Sequence, residues 1–516
     1  MAGPREPADL QDLTTIGMTT LPRWKRMWFS RLQPTNLEND CKENDMTTDL
    51  GLTISRREAL QRSACGFGSL ALAALGANHL PAAESPLAAK QPHFPARAKR
   101  VIFLYMDGGP SQVDTFDYKP ELQKSNGNKI PFEQPANGKT GNNDSVLFAS
   151  PWKFQQHGES GLWISDNFPH LAKHADDLCL INSMHHETAA HAAGVMLTHT
   201  GEFRFPRPSI GSWVAYGLGT ESENLPAFVV INPGDRNETI GAYSNSFLPA
   251  VYDATLMRNV GGRDEDVIKF LANARQTRKQ QRMQLDLVQE LNRDFLARRE
   301  QDSNIDALIE SYERAFRMQT AVPEVTDISG ETQNTLDLYG LGGKKKSRFG
   351  MQCLMARRLS EAGVRFIEVH HGGWDHHDSL SEKMPSSAAA IDQPIAGLIA
   401  DLKQRSMLDE TLIVWGGEFG RTSAVENMKD KSYGRDHNGA GFTYWLAGGG
   451  AKGGIRYGAT DEIGWIASEN KVHVHDLHAT VLHLLGLDHQ KLTYRYGGRD
   501  YTLTDVDGEV VKDIIA

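Results

Sequence analysis

Cysteine is scarce in this chain: four occur in 516 residues, Cys41, Cys65, Cys179 and Cys353, and no two stand at CxxC spacing. That excludes a thiolate zinc site and a disulfide framework as the organising device. A basic excess is missing too. The 55 Lys and Arg face 65 Asp and Glu, for a net charge of −10, which argues against nucleic acid as a partner because such proteins carry a basic footprint. Long apolar runs are also lacking, since the mild run Cys65 to Ala77 falls short of the roughly 20 residues a membrane span needs. What remains is the composition of an ordinary globular chain, 40% hydrophobic and 23% charged.

The apolar run has an ordered setting. Ser55-Arg56-Arg57-Glu58-Ala59-Leu60 precedes it, and small residues around Pro81-Ala82-Ala83 follow. That is the order of an export leader: charged region, apolar region, cleavage site. The arginine pair resembles a twin-arginine signal, with Ala59 where that pattern prefers Phe. The expected division is an upstream extension at 1–45 with Met46 as the start, a leader at 46–90, and a mature domain at 91–516. The domain is expected in the periplasm or outside the cell, with the twin-arginine export machinery as a partner and no membrane span. Cys65 lacks the aliphatic residue a lipid-anchoring site needs, so no lipid anchor is expected.

Short apolar runs punctuate the mature chain: 100–106, 178–182, 227–232, 364–369, 411–415 and 441–447. Helical patterns at 192–200, 210–216, 350–362, 388–403 and 475–485 lie between them. The alternation predicts an α/β fold with a mostly parallel sheet covered on both faces. Ligand-bearing groups then belong at the carboxyl ends of the strands. Residues 264–320 differ, being highly charged and nearly free of Gly and Pro. They predict two long amphipathic helices as an insert, with a solvated charged face.

The densest chemistry is His370-His371-Gly372-Gly373-Trp374-Asp375-His376-His377-Asp378, with four imidazoles and two carboxylates in nine residues. Packing does not call for such a cluster, because like titratable groups repel when charged and cost desolvation when buried. A divalent cation reverses that cost, since it takes neutral imidazoles and ionised carboxylates together. Asp375 and His377 are candidate ligands; His376 faces away by alternation, while His370 and His371 suit a supporting role. Asp107 ends the first apolar run in Met106-Asp107-Gly108-Gly109-Pro110-Ser111. Glu418 follows another in Gly416-Gly417-Glu418-Phe419-Gly420-Arg421-Thr422. Asp436, His437 and His478 come later, in Gly434-Arg435-Asp436-His437-Asn438-Gly439 and Val474-His475-Asp476-Leu477-His478.

In that order these residues resemble the alkaline phosphatase superfamily, which includes sulfatases. The phrases around Asp107, Trp374, Glu418 and His437 more closely resemble a bacterial group of "domain of unknown function" proteins with twin-arginine leaders. The resemblance spans about Ala98 to Leu487. It implies an alkaline-phosphatase-like three-layer α/β/α sandwich with one or two divalent ions, zinc, manganese, calcium or magnesium. One ion would take Asp375, His377 and His478, the other Asp107, Glu418 and Asp436 or His437. Three departures stand out. No Cys/Ser-x-Pro-x-Arg formylglycine sequence occurs, and counting back from Gly201 puts His191 at the nucleophile position, with Thr188 the nearest hydroxyl. Phe419 stands where relatives carry a metal-binding His, a place His437 can fill from the next loop. Arg421 and Arg435 are candidates to clamp anionic oxygens.

The expected activity is a metal-dependent hydrolysis of phosphate or sulfate esters, on a small molecule or a polysaccharide. The alternative is an inactive scaffold that binds a polysaccharide or cell-surface component. A metallo-β-lactamase-type hydrolase is disfavoured, as no HxHxDH run exists.

Overall fold

The computed structural model describes residues 85–141, 144–234, 241–262, 267, 268, 271, 275–297, 303–426 and 432–516. The expected upstream extension, the Met46 start and nearly all of the 46–90 leader lie outside the described residues.

Among the described residues, nine strands form one large sheet. In chain order they are β1 Arg100–Met106, β2 Leu178–His185, β3 Phe228–Ile231, β4 Thr255–Met257, β5 Phe366–His371, β6 Thr411–Gly416, β7 Phe442–Ala447, β8 Ile455–Tyr457 and β9 Val472–His473. Their spatial order is β8-β2-β7-β6-β1-β5-β3-β4, with β9 also on β2. All neighbours run parallel except β7, which is antiparallel to both β2 and β6. The continuous apolar runs are those of strands buried on both faces.

Helices cover both faces. On β1, Ile102, Leu104 and Met106 enter one core with Leu354 and Ile395, which belong to α5 Arg348–Glu361 and α6 Leu380–Gln404. Val101, Phe103 and Tyr105 point the other way. They meet Val195 of α1 His191–Thr200, Val214 of α2 Ile210–Leu218 and Leu482 of α7 Val474–Leu484. The period-2 alternation of one strand thus feeds two cores, which makes the fold a three-layer α/β/α sandwich. Helix starts follow local chemistry: the Ser347 and Ser209 side chains accept from Gly350 N and Ser212 N and so cap α5 and α2.

The charged insert carries two long helices, α3 Arg278–Ala297 and α4 Ser303–Thr326. Arg282 pairs with Glu313 across them at 2.7 Å, and Met318 and Val322 of α4 enter the core.

Candidate metal centre

The register of the central strands decides where the polar groups collect. Tyr105 of β1 pairs with His370 of β5 and Gly416 of β6, so these three strands end level. Asp107, the 372–375 loop and Glu418 emerge side by side at the carboxyl edge. Gly108 permits the close approach. Its φ is +119°, and a Cβ there would lie 2.4 Å from Asp375 N. Trp374 N donates to Asp107 O at 3.3 Å, and the buried Trp374 ring anchors the loop.

Three imidazoles converge on Asp375. His377 Nε2 is 2.9 Å and His437 Nε2 3.2 Å from Oδ1, and His191 Nε2 is 3.1 Å from Oδ2. His191 opens α1, while His437 comes from a two-residue strand paired antiparallel with Gly420–Arg421. In each ring the other nitrogen is taken. His377 Nδ1 meets Glu426 Oε2 at 2.5 Å, His437 Nδ1 meets Ala189 O at 2.7 Å, and His191 Nδ1 meets Glu418 Oε1 at 2.6 Å. An acceptor at every Nδ1 holds the proton there and leaves three Nε2 lone pairs aimed at one carboxylate. Lone pairs facing one another repel, so an extra proton or a cation belongs among them.

The four donor atoms fit within 4.8 Å of one another. Imidazoles braced through the far nitrogen are the arrangement that orients metal ligands. Three nitrogens and one carboxylate oxygen suit zinc or manganese better than calcium or magnesium, which prefer oxygen. The residues present therefore fit a divalent ion.

The electrostatics agree. Burial works against an ionised Asp375, but hydrogen bonds from His191, His377 and His437 and the Arg421 charge hold its pKa far below the usual range. Hydrogen bonds to Asp375 and Glu426 lift His377 to about 9. Burial lowers His191, yet its bonds to Asp375 and Glu418 outweigh burial and raise it. His437 is lowered, first by burial. A divalent ion would replace the protons these rings hold.

The other expected residues fall in different places. Glu418 stands behind His191, its carboxylate also taking Gly108 N at 2.9 Å and the Tyr105 hydroxyl at 3.3 Å. Asp436 flanks His377 and Glu426 in a second possible ligand group and accepts from His437 N at 2.8 Å. Asp107 lines a large neighbouring cavity and, among the described residues, joins no group of three such side chains. Thr188 Oγ1 accepts from Ala190 N at 3.1 Å at the entry to α1.

Three expectations need correction. His478 is not beside Asp375 and His377: it is buried, and its Nε2 lies 2.8 Å from Thr198 O. The reason is helical phase, because His478 shares the sheet-facing side of α7 with Val481 and Leu482. Burial drops its pKa to about 3, and the third imidazole beside Asp375 is that of His437. Arg421 and Arg435 do not face open space. Arg421 is spent on Gly109 O, Arg435 O and Asp375 Oδ1, the last at 2.6 Å. Arg435 binds both oxygens of buried Asp114, at 2.7 and 3.1 Å, and lies over Phe148. Both arginines hold backbone and carboxylates in position.

Sequence reasoning missed Glu426 and a buried triad. His199 Nε2 and His370 Nε2 both contact Glu368 Oε1, at 2.7 and 2.5 Å. His199 Nδ1 meets Val195 O at 2.7 Å, so both its nitrogens face acceptors and the ring is an imidazolium. A glutamate inside the apolar run of β5 was the available signal, since a lone buried carboxylate demands a partner. Glu426 offered none, because only folding brings it to His377.

Fold and site together define an α/β/α sandwich with an Asp/His cluster at the sheet's carboxyl edge. Residues 98–515 match the family described as "Protein of unknown function (DUF1501)", and the chain belongs to that family. No curated protein matches the chain. Among solved structures it is similar to the lipoteichoic acid synthase LtaP from Listeria monocytogenes, at 11% identity and TM-score 0.32, covering 81% of this chain and 78% of that one. The PsFucS1 sulfatase from Pseudoalteromonas sp. gives 13% identity, TM-score 0.34 and coverage of 90% and 77%. A protein in the alkaline phosphatase superfamily from Vibrio parahaemolyticus gives 9%, 0.33, 82% and 76%.

Proposed function

We propose that the chain is a metal-dependent hydrolase of phosphate or sulfate esters, independent of formylglycine, with Asp375, His191, His377 and His437 as ligands. One observation carries this: three imidazole Nε2 atoms converge on one carboxylate, at 2.9 to 3.2 Å, whose own pKa is strongly depressed. Zinc is the favoured ion, with manganese second. When bound, it supplies Lewis-acid polarisation of the ester oxygens and a lowered pKa for an attacking water. The chain's own part is orientation. Glu418, Glu426 and the Ala189 carbonyl keep the Nδ1 protons in place, so that each ring presents a lone pair. Arg421 keeps Asp375 ionised and seated. His191 acts as a ligand rather than a covalent nucleophile, because both of its nitrogens are engaged with carboxylates. Residues 46–90 act as a twin-arginine leader, and the domain works in the periplasm or outside the cell; among the described residues no helix is long and apolar enough to cross a membrane.

The test measures bound metal together with turnover of 4-nitrophenyl phosphate and 4-nitrophenyl sulfate. Wild type should bind metal and hydrolyse one of the two, while Asp375→Ala and His437→Ala should lose both properties. Metal content and turnover equal to wild type in both variants would sink the proposal. Metal binding without turnover across an ester panel would favour the inactive carbohydrate-binding scaffold.

A further inference from the structure

Beside the Asp375 cluster, past Asp107 and Gly372, opens a cavity of about 1200 Å³. That exceeds the size usual for a pocket holding one small molecule, about 300–1000 Å³. Four cations line it: Arg258, Lys345, Lys346 and Arg348. In a chain of net charge −10 this is a local reversal of sign. No carboxylate of the described residues forms an ion pair with Lys345, Lys346 or Arg348, which precede α5 or open it. Cations gathered around a concave opening concentrate anions and speed their arrival.

The wall carries a second kind of information. Gln352 and His370 line the cavity and are 4% and 5% exposed. Yet Gln352 Oε1 and His370 Nδ1 have no hydrogen-bond partner. His370 Nε2 is already engaged with Glu368 Oε1, so Nδ1 is the ring atom left to meet a ligand. Two unsatisfied polar atoms in a polar wall call for partners such as hydroxyls, which both donate and accept. Aromatic stacking surfaces, by contrast, are poor: among the described residues Phe349 is the one phenyl ring of the wall, and it is buried. Single-stranded nucleic acid would require such platforms.

We infer that this cavity is a subsite for a saccharide bearing several anionic ester groups, with the cations reading its charges and the amide and imidazole groups its hydroxyls. The inference rests on the hydrolase reading above and names its substrate class. Lys345, Lys346 and Arg348 would be specificity determinants, remote from the ester cleaved at the Asp375 cluster.

Binding is measured on the full chain carrying Asp375→Ala, so that turnover plays no part. The probes are a sulfated tetrasaccharide, its desulfated counterpart, a short polyphosphate and a single-stranded oligonucleotide. The sulfated sugar should bind, its affinity should fall as salt rises, and the triple variant Lys345→Ala, Lys346→Ala, Arg348→Ala should weaken it at least tenfold. The single change Lys346→Gln, at an exposed position, should weaken it by a few-fold and guards against misfolding. Equal binding of the desulfated sugar, tighter binding of polyphosphate or oligonucleotide, or an unaltered triple variant overturns the inference. In the chain with Asp375 intact, the triple variant should turn over 4-nitrophenyl esters as wild type does. Sulfated-sugar binding without any ester turnover would retire the hydrolase reading alone, and turnover without that binding would retire this inference alone.

Discussion

His377 Nε2 lies 2.9 Å from His437 Nε2, and each ring's remaining nitrogen is already bound to an acceptor. Two neutral imidazoles in that pose are mutually repulsive, so the pair is stable only around a shared positive charge. The bracing groups matter as much as the ligands, because they decide which nitrogen keeps its proton. Glu426→Gln should therefore weaken metal affinity about 10- to 100-fold while leaving the fold intact. Metal-competition titration with a chromogenic chelator checks this, and an affinity equal to wild type would refute it.

Chelation provides a related check. Ligands present only in the folded state couple metal affinity to stability. Exhaustive dialysis against a chelator should lower the thermal midpoint, and stoichiometric zinc should restore it. No change in midpoint on removal or readdition would place the cluster outside metal chemistry.

Gly108 is where backbone geometry and the centre meet. Its positive φ and the 2.4 Å from an added Cβ to Asp375 N leave no room for a side chain. Gly108→Ala should displace the 372–375 loop and reduce turnover by at least about 100-fold, since misplacement by about 1 Å costs that much. Steady-state kinetics on the soluble variant measure it; activity within a few-fold of wild type contradicts the close packing.

Arg435 and Asp114 form a bidentate pair with no solvent exposure on either side chain. Removing one member leaves a buried charge unpaired, which costs about 3–5 kcal/mol. Asp114→Ala should lower the denaturant midpoint accordingly without altering substrate preference. A stability loss below about 1 kcal/mol would mean the pair is solvated.

The Glu368 triad predicts an acid dependence. Burial raises the Glu368 pKa, but the charges and hydrogen bonds of His199 and His370 outweigh it and hold the value at about 2. A carboxylate depressed on folding contributes stability that is complete above its unfolded pKa, about 4.3. That contribution is lost as pH falls through the folded value. The stability difference between wild type and Glu368→Gln should shrink as pH falls from 4 to 2. Denaturant titrations across that range would show it, and a constant difference throughout would be incompatible with this account.

Much of the fold was legible beforehand. The run from Arg100 to Met106 is β1 residue for residue, and the alternation of apolar runs with helical patterns predicted a mostly parallel sheet with covered faces. Legibility came from local chemistry: a strand buried on both sides has no polar positions, and Ser347 and Ser209 cap where a hydroxyl before a helix should. The antiparallel β7 was not readable, because a buried strand has the same composition in either direction. At the site, the Asp375–His377 phrase announced itself by density. Arg421 and Arg435 misled because a guanidinium beside acidic residues looks alike whether it faces substrate or backbone carbonyls.

By itself, then, the order of residues determined the layers of the sandwich, the strand-end location of its polar groups and the presence of a cation-seeking His/Asp phrase, since all three depend on neighbours close along the chain. Tertiary structure alone decided the membership of the centre. It chose His437 over His478, enlisted Glu426, and turned Asp107 toward a cation-lined cavity. Those choices depend on helix phase, strand register and the absence of a side chain at Gly108, which join residues hundreds of positions apart.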